Sequence, residues 1–177
     1  LAANSSITIT YTGQLKDSDA FSLRTWKLDS GAEKDDNDFY PEQVVRARLA
    51  GADSDEQAAL GAMDQSAVSL GQGGSIILAT STKGKVLVDG YDDDFCLALS
   101  QVDANSRYRV SVAQVNQSAN YEKLRGNSKN CYDISRTDLP WIRYIKIEDQ
   151  STSGSSINLD AVCLLHVGGL LRNTANV

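Results

Sequence analysis

Short apolar runs that alternate or are rich in β-branched residues recur along the chain, each closed by Gly, Asn, Asp or Ser. A period of two sends successive side chains to opposite faces, so each run reads as a strand with one face toward a core, and the closing residues read as turns. The expected strands are Ile7 to Gly13, Phe21 to Leu28, Gly74 to Thr80, Asp94 to Ser100, Arg107 to Val115, Trp141 to Asp149 and Asn158 to Val167. Only Glu56 to Met63 looks helical, and Gly61 limits it to about two turns. Many short strands with turn signals between them predict an all-β fold, an antiparallel β-sandwich or jelly roll, and exclude a βαβ arrangement.

The run Asp29 to Asp38 is charged and free of large apolar residues, so it reads as an exposed loop. It divides the chain into an N-terminal hairpin with an acidic linker over 1–38, a sandwich over 39–167, and a tail over 168–177 that frays or crosses to a neighbouring surface. Within the sandwich, Trp141, Arg143 and Ile145 are expected on one face of a continuous strand, with Ile142, Tyr144 and Lys146 on the other. The glycines of the segment Ser69 to Ile76 precede a strand and lack a lysine partner, so they read as a tight turn and not a phosphate cradle.

The 177 residues carry 17 basic and 23 acidic side chains, a net charge of −6 that repels nucleic acid. No apolar run is long enough for a membrane span. Leu1 suggests a mature or trimmed chain, whose removed leader could carry a lipid anchor. Cys96, Cys131 and Cys163 lack zinc-site spacing; in an exported protein two of them could pair, and spacing does not choose which. His166 is the only histidine and follows an apolar run, which suits strand-end packing better than a general base. Cys163 and His166, three apart on one strand, point to opposite faces, and no pair of carboxylates stands out as acid and base, so no enzyme is expected.

Chemistry concentrates in the segment Val86 to Leu99, where Asp89, Asp92, Asp93 and Asp94 share one turn between two strands. Clustered carboxylates repel unless donors or a cation neutralise them, and hard oxygen donors on a short tether suit calcium. Asp89, Asp92 and Asp94 are the candidate calcium ligands from this loop; the alternative is a solvated turn with Asp89 as an Asx cap. No glutamate stands at the twelfth position from Asp89, so this is not an EF-hand. Tyr91 and Asp93 are candidates for ligand contact at the loop tip. Asp64 and Asp160, each set in an apolar stretch, are candidates to bond the N–H groups of a nearby loop.

Four segments in order, Phe39 to Gly51, Ala58 to Leu78, Val88 to Phe95 and Trp141 to Val162, resemble a family of bacterial exported and cell-surface β-sandwich modules of the galactose-binding-like, jelly-roll type. That family carries A-L-G-x-P-D, S-L-G-x-G-G-S-I, D-G-x-G-x-D-F, R-Y-V-x-I-x-D and D-L-D-A-V motifs, and the resemblance spans about residues 39–167. Met63 replaces the usual proline, Tyr91 and Asp92 replace small residues, and Ala98 and Leu99 stand where an acidic residue often follows. The resemblance implies that Asp160, and with it Asp149, approach the acidic loop and complete the metal shell. It implies a secreted or cell-surface calcium-binding module for adhesion or binding, with a glycan or a surface protein as partner. The alternative is a non-catalytic structural component of a surface or envelope assembly in which calcium is purely structural.

Overall fold

The computed structural model describes residues 6–9, 40–50, 55–82, 84–102, 105–152, 154–169 and 173–176. The apolar runs become strands where the alternation is cleanest. Ser75–Ala79 (β4), Tyr108–Ala113 (β7), Tyr144–Asp149 (β11) and Asn158–Leu164 (β12) lie within expected runs, and Phe95–Gln101 (β6) extends one residue past its own. Gln43–Arg48 (β2), Val68–Ser69 (β3), Glu122–Leu124 (β8) and Cys131–Tyr132 (β9) join them, while Ser6–Ile9 (β1) is the described part of the first expected strand. The second expected strand, Phe21 to Leu28, and the linker Asp29 to Asp38 lie outside the described residues.

Two antiparallel sheets face each other: a five-stranded sheet in the order β2-β4-β11-β7-β8 and a four-stranded sheet in the order β3-β12-β6-β9. Ile76, Leu78, Val110, Val112, Ile145 and Ile147 from the first meet Val68, Phe95, Leu97, Leu159, Val162 and Leu164 from the second in one core. The molecule is therefore an all-β antiparallel β-sandwich, as the strand pattern predicts. Each fully buried Ile or Leu in that core contributes roughly 1.5–3 kcal/mol relative to exposure.

The expected strand Trp141 to Asp149 is broken at Arg143, and this corrects the expected face assignment. Trp141–Ile142 (β10) joins a third sheet with Lys85–Val88 (β5) and Val167–Gly169 (β13), in the order β10-β5-β13, before β11 begins. The interruption shifts the phase by one residue, so Ile142 and Ile145 are both fully buried although they stand an odd number of residues apart. The tail also pairs: after β13, Asn173–Asn176 (β14) runs antiparallel to β1, with Ser6 opposite Asn176. The helical expectation over Glu56 to Met63 reduces to a single 3-10 turn, Glu56–Ala59, capped by Asp55 and followed by Gly61 at φ 90°. The turn before β4 is tight, as expected: Gly71 and Gly73 adopt φ of 69° and 77°, and the Gly74 N–H donates to the Gly71 carbonyl at 2.8 Å.

Candidate metal centre

β5 ends at Val88 and β6 begins at Phe95, so Asp89 to Asp94 form the connection between two of the three larger sheets. Asp94 is wholly buried. Its Oδ1 accepts from the Gly90 N–H at 2.8 Å and lies 2.9 Å from the His166 Nδ1, and its Oδ2 accepts from the Ile134 N–H at 2.7 Å. One carboxylate thus ties its own loop, the residue before β13 and the segment after β9 together. A Cβ at Gly90 would collide with the His166 ring, so glycine is required there for close approach. His166 does sit at a strand end, as expected, with the added role of hydrogen-bonding Asp94.

Ladder register places a second carboxylate opposite the first. Phe95 pairs with Tyr132 and Cys96 with Cys131, which brings Asp94 and Asp133 together at the end of the same ladder. The Phe95 and Tyr132 rings stack with centroids 4.9 Å apart. Cys96 and Cys131 form a disulfide with Cα atoms 4.0 Å apart, leaving Cys163 free. Asp89, Asp94 and Asp133 each offer an oxygen, all within 4.8 Å of one another. Ligands of one calcium, each about 2.3–2.6 Å from the ion, can stand about that far apart, so this donor set fits a hard cation. Asp133 keeps a local role as well, since its Oδ1 caps the Ser135 N–H at 2.9 Å and its Oδ2 lies 3.7 Å from the Arg136 Nε.

The other candidate ligands are placed elsewhere or are otherwise engaged. Asp92 is exposed and left-handed at φ 68°, and it is not a member of the triad. Asp149 Oδ1 accepts from the Ser151 N–H at 2.7 Å and its Oδ2 from the Ile157 N–H at 2.9 Å, which pins the turn leading into β12. Asp160 is the residue skipped at the register shift between Leu159 and Ala161 in the β12–β6 ladder and has no Cα partner there. That bulge aims its carboxylate at the Asp64 and Gln65 N–H groups, both 3.3 Å away, so Asp160 performs the loop-bonding role that its apolar setting suggests. Asp64 instead accepts from the Ser66 N–H within its own turn. At the loop tip Tyr91 is 77% exposed, and Asp93 accepts from the Asn127 Nδ2 at 2.7 Å.

The triad contains one residue that the acidic string could not reveal. Asp133 is separated from the loop by about forty residues and enters only through the β6–β9 pairing. The signal available in the sequence was the shared spacing of Asp94-x-Cys96 and Cys131-x-Asp133, which brings the two carboxylates together once the cysteines are paired. No helix among the described residues is long and apolar enough to cross a membrane. Comparison of the chain with protein-family models, curated proteins and solved structures gives no match to any of them.

Proposed function

We propose that the chain is a calcium-binding module of the cell exterior that acts by binding, not by catalysis. The observation that carries this reading is the Asp89, Asp94 and Asp133 triad, drawn from two separate loops and held by a disulfide-linked ladder. Like charges opposed across a ladder are destabilising, and a divalent ion between them turns that cost into a clamp on both loops. A disulfide of this kind persists in oxidising compartments, which supports an exported protein. Exposed Tyr91, at the tip of the loop the ion would stiffen, is the side chain best placed to meet a glycan or a surface protein.

Calcium that binds only the folded state must raise its stability. At a free concentration one hundred times the dissociation constant the gain is about 2.7 kcal/mol, which for a domain of this size is roughly 5–10 °C in melting temperature. Asp133→Asn should abolish that rise while leaving the melting temperature in chelator nearly unchanged, because the asparagine oxygen can still cap Ser135. Equal melting temperatures for the parent protein in chelator and in millimolar calcium would remove the support for the metal.

A further inference from the structure

The outward face of the five-stranded sheet carries charge of the opposite sign to the chain as a whole. Core-facing residues on its strands are Val44, Ala47, Ile76, Leu78, Val110, Val112, Ile145 and Ile147, so the alternate positions look outward. Following the register, one outward row runs Arg48, Ser75, Glu148, Arg109, and the next runs Arg46, Ile77, Lys146, Ser111, Lys123, in which Ile77 and Ser111 are themselves buried. Arg125 follows directly after β8. At these paired positions Glu148 is the one carboxylate, and it already bonds Lys146 at 2.7 Å. Among the described residues, Arg46, Arg48, Arg109, Lys123 and Arg125 form no ion pair. This on a chain of net charge −6 is a strong local asymmetry.

Three of these cations line a groove of about 510 Å³ beside β7 and β8, while Arg46 and Arg48 lie on β2 at the opposite edge of the sheet. Arg109, Lys123 and Arg125 line it together with the amide side chains of Asn127 and Gln150, and no carboxylate does. With the Gln150 amide turned so that its oxygen faces the guanidinium, it accepts from Arg109 Nη2 at 2.9 Å and Nη1 at 3.1 Å, an orientation that fixes the guanidinium and leaves three of its five N–H donors for a ligand. A held guanidinium matches a carboxylate or sulfate bidentately, and Arg109 on β7 stands one strand, about 4.8 Å, from the line of Lys123 and Arg125.

We infer that this groove binds an acidic oligosaccharide, with Arg109, Lys123 and Arg125 pairing its carboxylate or sulfate groups. Single-stranded nucleic acid would need exposed aromatic platforms for its bases, and the two tyrosines lining the groove are packed into the core, Tyr132 buried and Tyr108 partly so. Among the described residues the large exposed apolar side chains Met63, Tyr91, Val102 and Val115 all lie off the paired positions of this face, and none of them is there to enter a membrane. The remainder of the acidic chain repels an extended polyanion, so a short segment seated in the groove is favoured.

Titration of the full chain with an oligogalacturonate and with its fully methyl-esterified form separates charge recognition from general sugar binding. The anionic form should bind and the ester bind at least about tenfold more weakly, with affinity falling as salt rises. Because Lys123 and Arg125 are exposed, the double variant Lys123→Glu, Arg125→Glu should keep its melting temperature and lose at least about tenfold in affinity. Chelator should leave binding unchanged, so failure of the calcium reading would not affect this result. Equal binding of the ester, binding that survives the double variant, or equal or tighter binding of single-stranded DNA or anionic vesicles would overturn the inference.

Discussion

Asp94→Ala should lower the free energy of unfolding by about 3–5 kcal/mol, the largest effect expected of any single change in the acidic loop. The carboxylate is wholly buried and is the acceptor for the Gly90 N–H, the Ile134 N–H and the His166 Nδ1. Removing it orphans the buried Ile134 N–H and the part-buried Gly90 N–H and His166 Nδ1, and an orphaned buried donor costs about 1–3 kcal/mol. The loss arises at the junction of three chain segments, so it should appear as a lower urea midpoint with an unchanged slope. Asp92→Asn, two residues away and exposed, should shift stability by no more than about 0.5 kcal/mol, because asparagine also tolerates the left-handed backbone at φ 68°. A midpoint for Asp94→Ala within about 1 kcal/mol of the parent would show that the loop does not depend on this carboxylate. The same reasoning makes Asp133, not Asp94, the informative probe of calcium, since a change at Asp94 mixes loss of a ligand with loss of a structural acceptor.

The fold was legible where apolar and β-branched residues form a run of strand length closed by turn residues. β4, β7 and β12 announce themselves by their apolar spacing, and the sandwich follows from how many such strands there are. What escaped reading were interruptions that cost only a residue. Arg143 ends one ladder and starts another, and alternation alone cannot show that Ile142 and Ile145 then point to the same core. Short strands such as β3 and β9 carry too few residues to display a period at all, and their place is set by tertiary pairing.

The acidic site was half legible for the same reason. Asp89 and Asp94 declare themselves by crowding within one turn, and Asp133 joins them because β9 lies beside β6. Asp160 drew notice as a carboxylate in an apolar stretch and Asp149 through the family resemblance, and each holds backbone N–H groups of a nearby turn. A buried carboxylate signals that donors surround it; whether those donors are a metal or a turn of backbone depends on contacts far away in sequence. The basic groove was invisible for a different reason: Arg109, Lys123 and Arg125 gather only when β7 and β8 pair, and the net charge averages them away.

Removing the Cys96–Cys131 disulfide should cost about 3–4 kcal/mol, the loop-closure value for a separation of 35 residues, and lower the melting temperature by roughly 10 °C. The register dictates which variant measures this cleanly. Cys163 stands opposite Cys96 on β12 while Cys131 stands opposite it on β9, so the three sulfurs form one row across three adjacent strands. Replacing Cys131 would leave Cys96 and Cys163 as facing neighbours able to pair, and the replacement bond would mask the loss. Cys96→Ala removes the central sulfur; Cys131 and Cys163 are then two strands apart, about 9–10 Å, too far to bridge without moving the sheet. In the parent, burial first and the nearby Asp160 charge second raise the Cys163 thiol above its ordinary value, so it stays protonated at neutral pH and does not attack its neighbour. Raising the pH forms the thiolate and should speed exchange to the Cys96–Cys163 pair, with Cys131 released as the leaving thiolate. Unfolding of the parent and Cys96→Ala without reductant, with peptide mapping of the disulfide at pH 7 and pH 9, tests both parts. A stability difference under about 1 kcal/mol, or Cys163 found in the bridge at pH 7, would overturn the assignment.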